Sequence, residues 1–257
     1  MNYKGRIYNG SIKDSAPHGV GIMKYPNGLI YIGEFVEGKR NGLGKLSSFN
    51  GFLYEGMWLD DEMYGSGKVL YKDHKIEYDG ITQNGLPNGF GKLINNEFGN
   101  TYEGDFYKGM YYGNGILTLF NGDKYIGEFE NNKMFGKGTM IFANGNTYIG
   151  EFYNNMMSGS GKMIFANGEE YDGKIDNSKK NGFGIYHWFN GNVYNGEWVD
   201  DKMNGKGVYM YASGVIYQGN FIEDKISGRG FVRYPNGKRF IAQFINGEPQ
   251  NFTQLYD

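Results

Sequence analysis

The chain has 257 residues, 26 Lys and Arg against 28 Asp and Glu, a net charge of −2 and no cysteine. The near-neutral balance leaves no electrostatic footprint for nucleic acid. The missing cysteines exclude disulfides, thiolate metal sites and Cys nucleophiles, and suit a reducing compartment.

In chain order, Met1-Asn2-Tyr3-Lys4-Gly5 shows no signal-peptide core, no glycine directly after the initiator Met, and hence no acyl-anchor signal. No prenylation cysteine exists, and no apolar run approaches the ~20 residues of a spanning helix. Residues 1–7 read as a first half-repeat. From there Tyr-x-Gly recurs ten times, at Tyr8, Tyr31, Tyr54, Tyr78, Tyr102, Tyr125, Tyr148, Tyr171, Tyr194 and Tyr217. The interval is 23 residues, twice stretched to 24. A degenerate copy, Phe240-Ile241-Ala242, occupies 240–248, and 249–257 read as a C-terminal tail. A fixed period of this length marks a repeat array, in which each unit contacts its neighbours and no central core is needed. Glycine numbers 44, but aromatics reach 18%, which argues against disorder.

Each repeat is numbered here from its Tyr as position 0. Tyr125-Ile126-Gly127-Glu128-Phe129 alternates, so positions 0, 2 and 4 share one strand face and 1 and 3 the other. Position 4 is mostly aromatic, as at Phe35, Trp58, Phe152 and Trp198, and position 3 often acidic, as at Glu34, Asp105 and Glu151. Acids repeating at the array period read as bonds to a neighbouring strand or turn rather than as a glycosidase pair. Positions 5 to 12 read as a long polar connection. Gly-x-Gly then stands at positions 11 and 13, from Gly19/Gly21 to Gly228/Gly230, and a second alternating strand follows. Its position 15 is apolar (Met23, Leu46, Tyr186) and its position 17 mostly aromatic (Tyr25, Phe165, Trp188, Tyr211). The glycines are expected to make room for rings; no strand–loop–helix follows them, as a phosphate cradle requires. Asn-Gly at positions 19 and 20, as in Asn27-Gly28 and Asn190-Gly191, predicts a type I′ hairpin turn.

The fold predicted is all-β: an elongated single-layer antiparallel meander of about 10–11 stacked β-hairpins of 23–24 residues filling 1–248, with ~4.8 Å between strands. Wider loops are expected at Tyr71-Lys72-Asp73-His74 and Ile94-Asn95-Asn96-Glu97, where the Asn-Gly turn is lost and a residue is gained.

The pattern resembles the MORN repeat (membrane occupation and recognition nexus), whose unit joins Tyr-x-Gly-Glu-Trp/Phe to His-Gly-x-Gly. Tyr31-Ile32-Gly33-Glu34-Phe35 and Tyr194-Asn195-Gly196-Glu197-Trp198 fit the first block and Pro17-His18-Gly19-Val20-Gly21 the second, over about residues 3–248. Most copies replace the histidine with Asn, Ser, Tyr or Phe. The resemblance implies a stack of hairpins acting as a scaffold or adaptor. It also carries the family's proposed binding of phosphoinositides. Because repeats fill the chain, no catalytic domain is expected.

The three histidines, His18, His74 and His187, lie in different repeats, too far apart to share a metal. His18 reads as serving a turn, and His187 falls on the face opposite the rings. No cofactor, metal or catalytic residue is assigned. The aromatic stripe is the informative surface, since a long apolar stripe marks binding. The expected function is a non-enzymatic adaptor holding a peptide or helical segment of another protein, cytoplasmic and at a cytoskeletal or membrane-associated assembly. Tyr125, Phe129, Tyr148, Phe152, Tyr171, Trp188, Tyr194 and Trp198 are the expected anchors. Met63, Met134, Met157 and Met203 share one position and read either as adaptable contacts or as plugs beneath a loop. Free edge strands invite pairing of two copies. The alternative is a membrane-surface module for anionic lipid, disfavoured because basic clusters such as Lys39-Arg40 and Lys179-Lys180 are short and scattered among acids.

Overall fold

In a computed structural model, residues 1–71 and 75–255 are described; the expected wide loop at 72–74, with His74, lies outside them. The described residues form 23 strands and no helix. The chain divides into two compact units, Met1–Lys133 and Met134–Asp257. Within each, consecutive strands pair antiparallel in chain order, as at Ile30–Val36 with Lys39–Ser47 and Glu170–Asp176 with Lys179–His187. The sheets are open meanders of hairpins.

The turns exchange the roles read from the sequence. The connection expected to be long is a two-residue hairpin turn at positions 6 and 7, with left-handed φ at both: Asp60 at 49° and Asp61 at 72°, Asn154 at 50° and Asn155 at 70°, Asp200 at 47° and Asp201 at 70°. Both residues positive is the type I′ pattern, whose twist matches that of the strands. These residues lack the freedom of glycine, and the lattice compensates them. Asp201 donates its N–H to the Lys180 carbonyl at 3.0 Å, while its Oδ1 accepts the Lys180 N–H at 2.9 Å. Asn155 does the same to Met134, and Asp224 to Met203. Each turn tip is thus bonded to the preceding repeat.

The Asn-Gly connection is the wider one. Gly28 donates to the Tyr25 carbonyl at 3.0 Å and Tyr25 to the Leu29 carbonyl at 2.9 Å. Only the glycine is left-handed, at +84°, so this is not a type I′ turn. It recurs at Phe165-Gly168, Trp188-Gly191 and Tyr234-Gly237. The Asn side chain accepts the N–H two residues on, as from Asn192 to Asn190 at 3.0 Å, which is the Asx bond of that residue type. The loop after Asn95 is wider, closing from Gly99 N–H to the Asn95 carbonyl across four residues.

Between the turns the hairpins carry a bulge, opposite position 3 at Glu34 and Glu197. There the first glycine of Gly-x-Gly is left-handed, as Gly42 at +83°. The N–H after it is taken by the position-3 acid: Leu43 to Glu34 Oε1 at 3.0 Å, Asn114 to Asp105 Oδ2 at 3.2 Å and Lys206 to Glu197 Oε1 at 3.2 Å. The acids therefore bond the neighbouring strand, as their periodicity implied.

The core lies on the ring face. Each position-0 Tyr lies over the glycine pair of its own hairpin, its ring along its own strand, and its hydroxyl donates to the position-3 carbonyl, as Tyr31 to Glu34 at 3.0 Å and Tyr194 to Glu197 at 2.9 Å. Position-4 rings then bridge consecutive tyrosines edge to face. In the first unit Tyr8–Phe35–Tyr31–Trp58–Tyr54 runs at 5.3, 5.0, 5.2 and 5.2 Å. In the second, Tyr171–Trp198–Tyr194–Phe221–Tyr217 runs at 5.6, 5.2, 4.9 and 5.4 Å. The Trp58 and Trp198 indoles also donate to the Gly44 and Gly184 carbonyls of the preceding repeat. Between Tyr54 and Tyr78 the ladder carries Thr82, buried and donating to the Gly65 carbonyl at 3.1 Å.

Two terminal features differ from expectation. Residues read as a tail form the strand Glu248–Leu255, in which Pro249 stands opposite Phe244. His18 lies inside the strand Ala16–Lys24 rather than in a turn. His187 is exposed on the face opposite the rings.

Candidate partner-binding surface

Seven of the eight expected anchors belong to the core lattice. Tyr125, Phe129, Tyr148, Phe152, Tyr171, Tyr194 and Trp198 are between 0 and 3% exposed. The physical reason is that each ring packs among the position-0 and position-4 rings of its own and the adjoining repeat, with position-9 side chains against the position-4 rings. Met203 stands opposite Trp198 and Met157 opposite Phe152, with Met203 buried. These methionines are plugs beside the rings. In two repeats the plug is a cation. The Arg40 guanidinium lies 4.0 Å over Trp58 and pairs with Asp61 at 3.0 Å. The Lys180 ammonium lies 4.4 Å over Trp198 and 4.6 Å over Tyr186. Burial among these rings pushes the Lys180 pKa down, opposed by Asp201.

Trp188, the eighth, is half-buried and belongs to a different row. Along the second strands of the C-terminal hairpins and just past their ends, positions 15 and 17 form a continuous aromatic ribbon. Phe165–Tyr186–Trp188–Tyr209–Tyr211 runs at 5.8, 4.7, 5.2 and 4.6 Å between ring centres. Tyr186 is buried, and the other four are partly open to solvent. Polar groups fix their tilt: the Tyr186 hydroxyl donates to Glu169 Oε2 at 2.6 Å, and Asn192 Nδ2 donates to the Tyr209 oxygen at 2.9 Å. The Tyr186 bond holds the Glu169 carboxyl below its usual range. The ribbon leads into an open apolar cleft of ≈ 290 Å³ lined by Tyr211, Val215, Val232, Tyr234, Phe244 and Phe252. Of this surface, Trp188 is an anchor expected from the sequence, whereas Phe165, Tyr209 and Tyr211 were not among the expected anchors. The signal was present, since positions 15 and 17 are both aromatic only around these repeats.

The arrangement offers contact area and a few oriented polar groups. Among the described residues no group of three or more His, Cys, Asp or Glu side chains converges to hold a metal. No helix among them is long and apolar enough to cross a membrane.

A tandem array of hairpins, each completing the ring packing of the next, defines a β-meander repeat protein. The MORN-repeat sequence model matches it ten times, at residues 8–30, 31–51, 54–75, 78–95, 102–124, 125–147, 148–170, 171–193, 194–216 and 217–239, and the chain belongs to the MORN-repeat family. No curated protein sequence matches the chain. Among solved structures it is similar to the TCP domain of Drosophila melanogaster SAS-4 (dCPAP), solved in complex with a proline-rich motif of Ana2 (dSTIL). The identity is 18% over 62% of this chain and 88% of that one, with a TM-score of 0.40. It is also similar to the TCP10 domain of Danio rerio CPAP in complex with a peptide of STIL, at 13% identity over 97% and 99% of the two chains and a TM-score of 0.37. Scores this low do not bear on function.

Proposed function

We propose that the chain is a non-enzymatic scaffold that holds a segment of a partner protein against the ring face of its C-terminal repeats. The observation that carries this reading is the accessible ribbon of Phe165, Trp188, Tyr209 and Tyr211 running into an apolar cleft. Half-buried aromatics on a rigid support are the usual anchors of peptide recognition. The buried tyrosines and Trp198 supply the support, and Trp188 supplies contact. The occupant is an apolar segment, extended or helical, with one or two large side chains for the cleft. Membership of the MORN family supports a place at a cytoskeletal or membrane-associated assembly. Lipid binding gains no support from the basic clusters: Lys39 pairs with Asp60 at 3.3 Å, Arg40 with Asp61 at 3.0 Å and Lys179 with Asp200 at 3.1 Å.

The test places a photo-crosslinking amino acid at Trp188 and, as control, at Ile149 on the opposite face. The peptide captured only from Trp188 is synthesised and its affinity measured. The reading requires Trp188→Ala and Tyr211→Ala to weaken binding tenfold or more while melting like the parent. Undiminished affinity in both folded variants would refute it.

A further inference from the structure

The face opposite the rings carries a furrow above the glycine row, and each unit has one. In Met1–Lys133 it runs over Gly104, Gly115 and Gly127, with Phe90, Glu103, Asn114 and Ile126 along its walls. In Met134–Asp257 a furrow of ≈ 480 Å³ runs over Gly207 and Gly219, with Phe183, Asn195, Lys206, Gln218, Asn220 and Arg229 along its walls. Phe90 and Phe183 occupy the same repeat position, as do Glu103 and Asn195, Asn114 and Lys206, and Ile126 and Gln218.

Chemically the two differ. Glu103 in the first furrow pairs with Lys92 across the strands at 3.3 Å. In the second, Ile185 and Asn195 stand opposite each other at those positions, so the ion pair is gone. The Asn195 Oδ1 is buried and accepts no hydrogen bond. Asn220 replaces the position-3 acid, and it stands opposite Lys206. Among the described residues neither Lys206 nor Arg229 makes an ion pair. On this face Glu197 bonds the Lys206 N–H at 3.2 Å through Oε1 and does not line the furrow.

We propose that this second furrow binds an acidic peptide segment of a partner protein, in addition to the segment held on the ring face and independently of it. Lys206 and Arg229 occupy the same position in consecutive repeats, two strands and therefore about 10 Å apart. Glutamates three residues apart in a polyproline II segment lie on one side at about 9 Å, so two carboxylates meet two cations. The backbone of such a segment has free N–H groups for the amide side chains along the walls, Gln218 and Asn220 among them. Phe183, 58% exposed, gives the segment an apolar wall. An anionic bilayer fits less well. A plane laid on this face also meets the exposed carboxylates of Glu151, Asp172 and Glu197.

The probe is a fluorescein-labelled peptide of Glu-Ser-Ser repeats, read by anisotropy against a Lys-Ser-Ser counterpart and against vesicles of phosphatidylcholine with phosphatidylserine and phosphatidylinositol bisphosphate. The parent chain is expected to bind the acidic peptide saturably and neither control. Lys206→Glu with Arg229→Glu should weaken binding at least tenfold, and Asn195→Asp severalfold, with unchanged melting. If the charge reversals disturb folding, Lys206→Gln with Arg229→Gln gives the same comparison with a smaller loss. Trp188→Ala should leave this affinity unchanged, which separates the furrow from the ring face. No saturable binding by the parent, full affinity in the folded double variant, or binding of vesicles without peptide each overturns the proposal.

Discussion

The phenol of Tyr148 lies over Gly161 so closely that a Cβ on the glycine would come within 2.3 Å of its oxygen. A Cβ on Gly150 would come equally close to the same oxygen, at 2.3 Å. The tyrosine and its two glycines are therefore one packing unit, and the sheet is thin there because the ring fills the space that two side chains would take.

Replacing Gly161 by Ala should destabilise the chain by about 3 kcal/mol or more, since the contacts that must yield are a locked ring and the backbone behind it. Gly168→Ala is the comparison. Nothing lies within 4 Å of its Cβ, and the penalty is confined to a φ of +87°. That change should cost about 1 kcal/mol. Denaturant midpoints of the two variants check the order.

Tyr194→Phe keeps the ring and removes the hydrogen bond to the Glu197 carbonyl, 2.9 Å away at the bulge. A loss of roughly 1–2 kcal/mol is expected, because the carbonyl at the bulge is left without a partner. A loss near zero by chemical denaturation would mean that water replaces the phenol there.

Alkaline pH should unfold the protein cooperatively. Burial raises the phenol pKa values of Tyr148 and Tyr217 to about 12, and those of Tyr31, Tyr78, Tyr102 and Tyr125 upward as well. A folded pKa above the unfolded value of about 10 means that the stabilisation is complete below pH 10 and is lost as pH rises through the folded pKa. Stability should be flat on this account between about pH 6 and 9, then fall steeply. Tyrosinate absorbance should rise together with the loss of circular dichroism. Ionisation of these phenols well before unfolding would contradict their burial.

The turn tips give a fourth prediction. Asp224 is left-handed at 68° and bonds the Met203 N–H at 2.8 Å. Asp224→Ala loses the bond and keeps the backbone strain, at about 1–2 kcal/mol. Asp224→Gly loses the bond and relieves the strain, so its cost should be well under 1 kcal/mol. Glycine already holds this position at Gly38, Gly85 and Gly109. Thermal melts of the two variants should separate them.

Period-two alternation made the strands, their order and their two faces legible from residues alone. The turn types were not legible. Asn-Gly advertises a tight hairpin, but Tyr25-Pro26-Asn27-Gly28 closes the wider connection. The tight turns hide in pairs such as Asp60-Asp61 and Asn154-Asn155, whose strain is offset by a bond to a residue 21 positions earlier, as between Asp61 and Arg40. No local window contains both ends of that bond. The candidate surface was half legible for the same reason. The ring face could be read from spacing, whereas burial of Tyr148 or Trp198 depends on side chains contributed by other strands. Within the second row, Tyr186 lies 5.9 Å from the Trp198 ring and is buried, whereas Trp188 and Tyr211, nearer the wide turns, stay partly open.

The bonds that join repeats span short, constant distances along the chain: 21 residues from Asp201 back to Lys180, and 14 from Trp198 back to Gly184. A tandem duplication or excision of one whole unit of 23 residues reproduces each of these spacings at the new junction. Copy number can therefore drift by unequal recombination without any intermediate sequence that folds badly. A family of such arrays is free to explore length as a heritable trait, separately from the surface chemistry of each unit.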